Sequence, residues 1–201
     1  MARQKQSKPY HHGDLRSALL ASAEAMLERV GADAISMREL TREIGVSNNA
    51  PRRHFPNKQA LLDALATSGF ERLGAALDRA IANDESGFEQ RVVKLARANI
   101  RFASKHRSLM KLMFTAKQRK GAPRELIEAS YKALSVGPRT VAYGQSIGAV
   151  VAGDIERLAL AVFSSVEGLI SLFPEGRFAD VSIEKLAEDT IGIIIHGLKP
   201  R

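Results

Sequence analysis

The stretch SMRELTREIGVSNNAPRRHF, residues 36–55, reads as two short helical segments separated by a tight corner. Ser36 and Glu39 have the spacing of a capping box, in which each side chain satisfies the other's free backbone N–H at a helix start. Met37, Leu40 and Ile44 recur at helical spacing and supply one apolar face. Gly45 closes that helix, because a residue without Cβ enters the left-handed conformation at little cost. Val46 is expected to plug the corner, and Ser47 to cap a second, short helix carrying Asn48, Asn49, Arg52, Arg53 and His54. Apart from Ala50, Pro51 and Phe55, this second segment has nothing to bury. Pro51 lies at or just past the last position where a missing N–H is harmless, which marks the helix as short.

Those side chains suit a DNA duplex. Asn pairs bidentately with adenine and Arg with guanine in the major groove, while Arg, Lys, His and Ser reach phosphate oxygens. A helix-turn-helix presents the N-terminal residues of its second helix to base edges, so Ser47, Asn48 and Asn49 are expected nearest the bases. Arg52, Arg53 and His54 come a turn later, at least two of them as backbone clamps. Ser36, at the start of the first helix, is a further expected contact.

YHHGDLRSALLASAEAMLERVG (residues 10–31), together with residues 36–70, resembles the N-terminal domain of TetR-type transcriptional regulators. The resemblance implies an all-helical, homodimeric repressor of double-stranded operator DNA. It also implies a larger C-terminal domain that binds a small effector and so releases the DNA. In the family, the position of Lys58 is a frequent backbone contact. Two residues depart from the family pattern: Arg52 stands where tyrosine is common, and Thr41 where alanine is usual.

The 201 residues carry a formal net charge of +8, with 45% hydrophobic residues and no cysteine. A basic balance points to a polyanionic partner. Absence of cysteine excludes disulfides and thiolate metal sites. No apolar run nears the roughly 20 residues that span a bilayer, and the N-terminus lacks a signal-peptide core, so a cytoplasmic protein with no membrane association is expected.

Residues 1–12 read as a flexible basic arm, in which Lys8 and Tyr10 are expected DNA contacts. His11 and His12 are adjacent and lack the i, i+4 spacing of a helical ligand pair, so no metal and no cofactor is expected. Residues 13–60 form the expected helix-turn-helix domain. Its first helix, from about Asp14 to Val30, has Leu15, Leu19, Ser22, Met26 and Val30 on one face. Asn57 caps a long helix through Leu61, Leu65, Leu73 and Ile81, with Lys58 in its first turn beside free amides that favour a phosphate.

Residues 61–201 are the expected ligand-binding and dimerisation domain, giving an all-α chain of about nine helices. One helix carries Phe88, Val92, Leu95, Asn99 and Phe102 on a face, and Leu109–Phe114 is expected to be buried. Lys117–Gly121 reads as a basic loop, either solvated or facing DNA. A helix from Pro123 is expected to be broken or kinked at Gly137-Pro138 and to continue through Val141, Ile147 and Val150. Asp154 and Ser182 cap the last two helices. Expected pocket residues are Phe102, Met110, Met113, Phe114, Tyr131, Tyr143, Phe163 and Glu167. The last two helices need a partner for their apolar surface, so Phe163, Val166, Leu169, Ile170, Ile191, Ile194 and Ile195 are expected at a twofold interface.

FSSVEGLISLFPEGRF, residues 163–178, with Gln145, Gly148, Gly153 and Asp154, is similar to a TetR subgroup bearing a tryptophan followed by Val-His-Gly. Phe163 replaces the tryptophan and Glu167 the histidine. An effector-independent or architectural DNA-binding protein is the alternative function. No catalytic motif occurs, and Ser164, His196 and Asp154 would make a triad by residue type alone, so no enzyme is expected.

Overall fold

A computed structural model describes residues 15–82, 85–172 and 182–200. Among them there are nine α-helices and one 3-10 turn, with no strand: α1 Leu15–Val30, α2 Met37–Ile44, the 3-10 turn Ala50–Arg53, α3 Lys58–Ala80, α4 Phe88–Lys105, α5 Arg107–Gln118, α6 Arg124–Leu134, α7 Val136–Ser146, α8 Ile155–Leu172 and α9 Ile183–Leu198. The chain is all-α, as its sequence predicts. It divides into two compact units, Met1–Leu65 and Ala66–Arg201, and α3 runs across the division.

In the first unit α1 packs on α2, and both touch the 3-10 turn. Leu19, Ala23, Met26 and Leu27 of α1 are buried, as are Ile35, Leu40 and Phe55. Val30, predicted on the same face as Leu19, is exposed, because the helix ends there and Gly31 turns away at φ 78°. At the surface, Glu43 accepts from Ser22 Oγ at 2.9 Å and from Arg29 at 2.8 Å. These hydrogen bonds, Arg29 first, hold the Glu43 carboxyl below the ordinary carboxylate range.

In the second unit α4 packs against α7, α8 and α9, around a core that includes Phe88, Val92, Ile100, Val141, Val166 and Ile191. Leu109, Met110, Leu112 and Met113 of α5 are buried, in agreement with their apolar run. The break between α6 and α7 falls at Ser135, upstream of the Gly137-Pro138 pair that the sequence marks as a kink. Pro138 lies in the first turn of α7 and has no N–H to return to the preceding turn, so the helix is broken there as the sequence suggests. Helix α7 ends at Ser146, and Ile147 and Val150 lie in the connection beyond it. Gln145 braces that connection by donating to the carbonyls of Val151 (3.0 Å) and Gly153 (3.1 Å). The Val151 N–H in turn satisfies the Leu198 carbonyl at the end of α9, at 2.7 Å. Asp154 and Ser182 cap α8 and α9 through the amides of Arg157 and Lys185.

Candidate nucleic-acid interface and effector cavity

The first site is built on the end of α2. Ser36 adopts extended backbone geometry and accepts from the Glu39 N–H at 3.4 Å. Gly45 stands at φ 73°, and its N–H and that of Val46 return to the Arg42 and Thr41 carbonyls at 3.3 and 3.0 Å. The chain therefore leaves α2 in a fixed direction.

The segment after this corner is not the α-helix capped by Ser47 that the sequence suggests. Ala50 N–H bonds the Ser47 carbonyl, Arg52 N–H that of Asn49, and His54 N–H that of Pro51, which are i to i+3 bonds. Asn49 occupies the N-cap position without a side-chain cap bond. The physical reason is Pro51, which removes one donor and is buried as the turn's inward residue, so only a single tight turn forms. Phe55 is also buried and lies under Arg16, whose guanidinium is 5.6 Å from the ring centroid. Two inward residues thus pin a segment whose other side chains point to solvent.

Ser47, Asn48, Asn49, Arg52, Arg53 and His54 are all exposed. Asn49 and Arg52, three apart on a 3-10 turn, share one face. Asn49, Arg52, Arg53 and His54 have no side-chain hydrogen bond or ion pair among the described residues. Asn48 is engaged: its Oδ1 lies 2.8 Å from Thr41 Oγ1, which also lies 2.8 Å from the Arg38 carbonyl. A hydroxyl has one proton, so Thr41 donates to one oxygen at a time. With the Asn48 amide turned, it donates to Arg38 and accepts from the Asn48 NH2. Thr41, 1% exposed, stands out in the sequence only as a departure from the family. Here it anchors the first side chain of the turn.

Lys58 opens α3 and donates to the Asp33 carbonyl at 2.6 Å, while Asn57 caps the helix through Ala60 N–H at 2.9 Å. The ammonium retains two further donors beside an N-terminal helix turn. Lys8, Tyr10, His11 and His12 lie outside the described residues.

The second site is a cavity of about 290 Å³ in the Ala66–Arg201 unit, walled by apolar residues such as Leu73, Leu77, Val92, Leu95, Val162 and Phe163. Of the pocket residues that the sequence proposes, Phe163 lines it. Glu167 adjoins it through Asn99, whose Nδ2 donates to Glu167 Oε1 at 2.9 Å. Met110 and Met113 are packed into the core, and Phe114 stacks between Phe70 and Phe163. Tyr131 is 74% exposed, and Tyr143 lies under the Arg91 guanidinium at 4.2 Å. Phe102 lines a different concavity between α3 and α4, a basic groove with Arg72, Arg79, Arg101, Lys105 and His106 around it. A 3.6-residue stripe shows that such aromatics are inward, but not which void they border.

Two cavity residues escape a reading of the sequence. Lys117, which the sequence places in a surface loop, lies in the last turn of α5, half-buried, with Nζ 4.7 Å from the Phe114 centroid and 5.9 Å from that of Phe70. Asn99 does carry a signal: it is a lone amide on the otherwise apolar stripe of α4. Burial raises the Glu167 carboxyl above its ordinary range, against the Asn99 hydrogen bond and the charge of Lys117. Burial likewise lowers the Lys117 ammonium, against the charge of Glu167.

Among the residues proposed from sequence for the twofold interface, Val166, Ile191 and Ile195 are buried within the chain's own α4/α8/α9 core, and Leu169, Ile170 and Ile194 pack partly against it. On the described parts of α8 and α9 the exposed large apolar residues are Leu160, Leu172 and Ile193, the last 76% exposed. Among the described residues no helix is long and apolar enough to cross a membrane, and no group of three His, Cys, Asp or Glu is placed to hold a metal.

Residues 19–65 match the family model described as "Bacterial regulatory proteins, tetR family". A solved structure of a protein of unknown function from Rhodococcus sp. RHA1 is 41% identical, covering 96% of this chain and 100% of that one at a TM-score of 0.90. A bacterial regulatory protein in the tetR family from Rhodococcus RHA1 shares the fold at a TM-score of 0.73 with 18% identity, covering 92% and 97% of the two chains. The nucleoid occlusion factor SlmA of Aliivibrio fischeri (strain MJ11) is 29% identical over 106 residues, 53% of this chain and 52% of that protein. The chain thus spans about half the length of this curated relative. Residues 19–65 thus carry the segment described for the tetR family, and the fold along nearly the whole chain is that of a solved tetR-family regulatory protein.

Proposed function

We propose that this protein is a sequence-specific transcriptional repressor that binds double-stranded operator DNA as a homodimer and is released by a small-molecule effector. Residues 13–60 are the DNA-binding part, with Lys8 and Tyr10 of the preceding arm as additional contacts. Residues 61–201 bind effector and dimerise. The observation that carries this reading is the exposed turn with Asn49, Arg52, Arg53 and His54 uncommitted, held by buried Pro51 and Phe55 after a capped helix. Four such side chains without partners among the described residues suit base edges and phosphates. Ser36 and Lys58 add phosphate contacts at helix starts, and Ser47 lies exposed at the entry to the turn. The outward apolar surface of α8 and α9, including Leu160 and Ile193, is the dimer seam, and two copies would address half-sites about 34 Å apart.

Effector binding in the α4/α7/α8 cavity shifts the dimer to a state in which the two turns no longer match successive major grooves, which requires the effector to favour that state. The test is footprinting on DNA flanking the protein's own coding region, then titration against that site and random DNA at matched salt. A protected palindromic site bound at least a thousandfold tighter than random DNA is expected, since specific binding exceeds non-specific by about 10³ or more. Equal affinity for both DNAs would favour the second reading, an effector-independent DNA-binding protein, which the partial similarity to a nucleoid occlusion factor supports.

A further inference from the structure

We propose that the α4/α7/α8 cavity takes a neutral, mostly apolar molecule bearing one hydroxyl, an alcohol or phenol, which donates to Asn99 Oδ1 and accepts from Lys117 Nζ. The consequence for DNA rests on the effector reading above; the binding itself does not.

The cavity lies near the lower end of the size range of small-molecule pockets, roughly 300–1,000 Å³, and its walls are almost wholly aliphatic or aromatic. Four polar residues border it. Glu156 is exposed, at the rim. The Thr140 hydroxyl proton is spent on the Val136 carbonyl at 2.8 Å. That leaves Asn99 and Lys117. Asn99 is 7% exposed and its Oδ1 has no hydrogen-bond partner among the described residues, although its Nδ2 is satisfied by Glu167. Lys117 forms no ion pair among the described residues and holds its ammonium over two phenylalanine rings. Asn99 touches Glu167, and Glu167 feels the charge of Lys117, so the three groups form one polar end of an apolar chamber.

One buried acceptor lacks a donor there among the described residues, and beside it stands an ammonium with no ion pair. A hydrocarbon would fill the walls and leave both unmet. A ligand carboxylate would pair with Lys117 but place its lone pairs against Asn99 Oδ1 and add a second acid beside Glu167, which burial already disfavours as an anion. A ligand ammonium would meet Lys117. A hydroxyl answers both groups without importing charge.

The experiment is calorimetric titration of the full chain, free of DNA, with 4-butylphenol, butylbenzene and 4-butylbenzoate at neutral pH. The phenol is expected to bind at least tenfold tighter than the other two. Lys117→Met and Asn99→Leu should each bring the phenol down to the level of butylbenzene. Butylbenzene uses neither polar group, so its binding reports whether each variant keeps the chamber. Should Asn99→Leu lose butylbenzene as well, Lys117→Met decides. Benzoate binding as tightly as phenol, no preference among the three, no binding of any, or phenol affinity untouched by Lys117→Met would each overturn the proposal. If the phenol binds as described but leaves the DNA complex intact, the effector reading fails while the ligand class stands.

Discussion

Arg52, at which the tetR-type pattern that the sequence resembles has tyrosine, stands exposed on the same face as Asn49. A guanidinium there lies within reach of guanine or phosphate, where an aromatic hydroxyl makes a single bond. Arg52→Ala is expected to weaken operator binding about tenfold or more, the ~1–3 kcal/mol of a base-reading arginine, with thermal stability unchanged because the side chain has no partner among the described residues. Fluorescence anisotropy beside a melting curve checks both halves. Glu167 illustrates the opposite case, a charge held where burial opposes it. Its folded pKa lies above the ordinary 4.5, so the stability it contributes is full below about that pH and is lost as pH rises through the raised value. Glu167→Gln keeps an oxygen for the Asn99 amide and removes the titration. The Tm of this variant relative to the parent is expected to be level at low pH and to climb as pH increases above 4.5. A difference independent of pH would show that Glu167 is not a penalised carboxylate.

At the scale of elements, local code and tertiary packing divide the work unevenly. Capping boxes and glycine corners act over three to five residues, so Ser36, Gly45, Asn57, Asp154 and Ser182 are legible as helix boundaries. Pro51 is also visible, but its effect is larger than its position suggests: once buried, it holds the recognition segment to one 3-10 turn. Pro138 interrupts the helix as the sequence suggests, with the break at Ser135, three residues upstream. The junction of α4 with α7 sets a different limit. A Cβ on Gly144 would meet Val150 Cγ2 at 2.5 Å and the Phe88 ring at 2.6 Å. Gly144→Ala is expected to destabilise by about 1–3 kcal/mol, as overpacking does, with Tm falling roughly 2–4 °C per kcal/mol. Calorimetry that finds an unchanged Tm would mean the α4/α7 junction yields without strain.

For the molecule as a whole, the question is which apolar surface is spent inside one chain and which is left for a second copy. Val166, Ile191 and Ile195 form the internal core with α4, while Ile193 and Leu160 point outward, 76% and 61% exposed. Ile193→Asp is expected to convert the dimer to monomer in analytical ultracentrifugation while leaving the helical content unchanged, because an exposed site tolerates a charge and a desolvated seam does not. A dimer persisting in this variant would move the interface away from α9.

The sequence alone determined that the chain is all-helical, where its helix-turn-helix lies and which side chains the turn offers, because caps, corners and 3.6-residue periodicity are written within a few neighbouring residues. Only the tertiary structure decided which apolar stripes cover each other, that Thr41 holds Asn48, and that Lys117 leaves the surface to join Asn99 and Glu167. The Asn99–Glu167 contact bridges 68 residues of chain, and no local pattern encodes a meeting at that separation. It arises when helices with interchangeable apolar faces choose partners, and that choice is made by the shapes of whole surfaces.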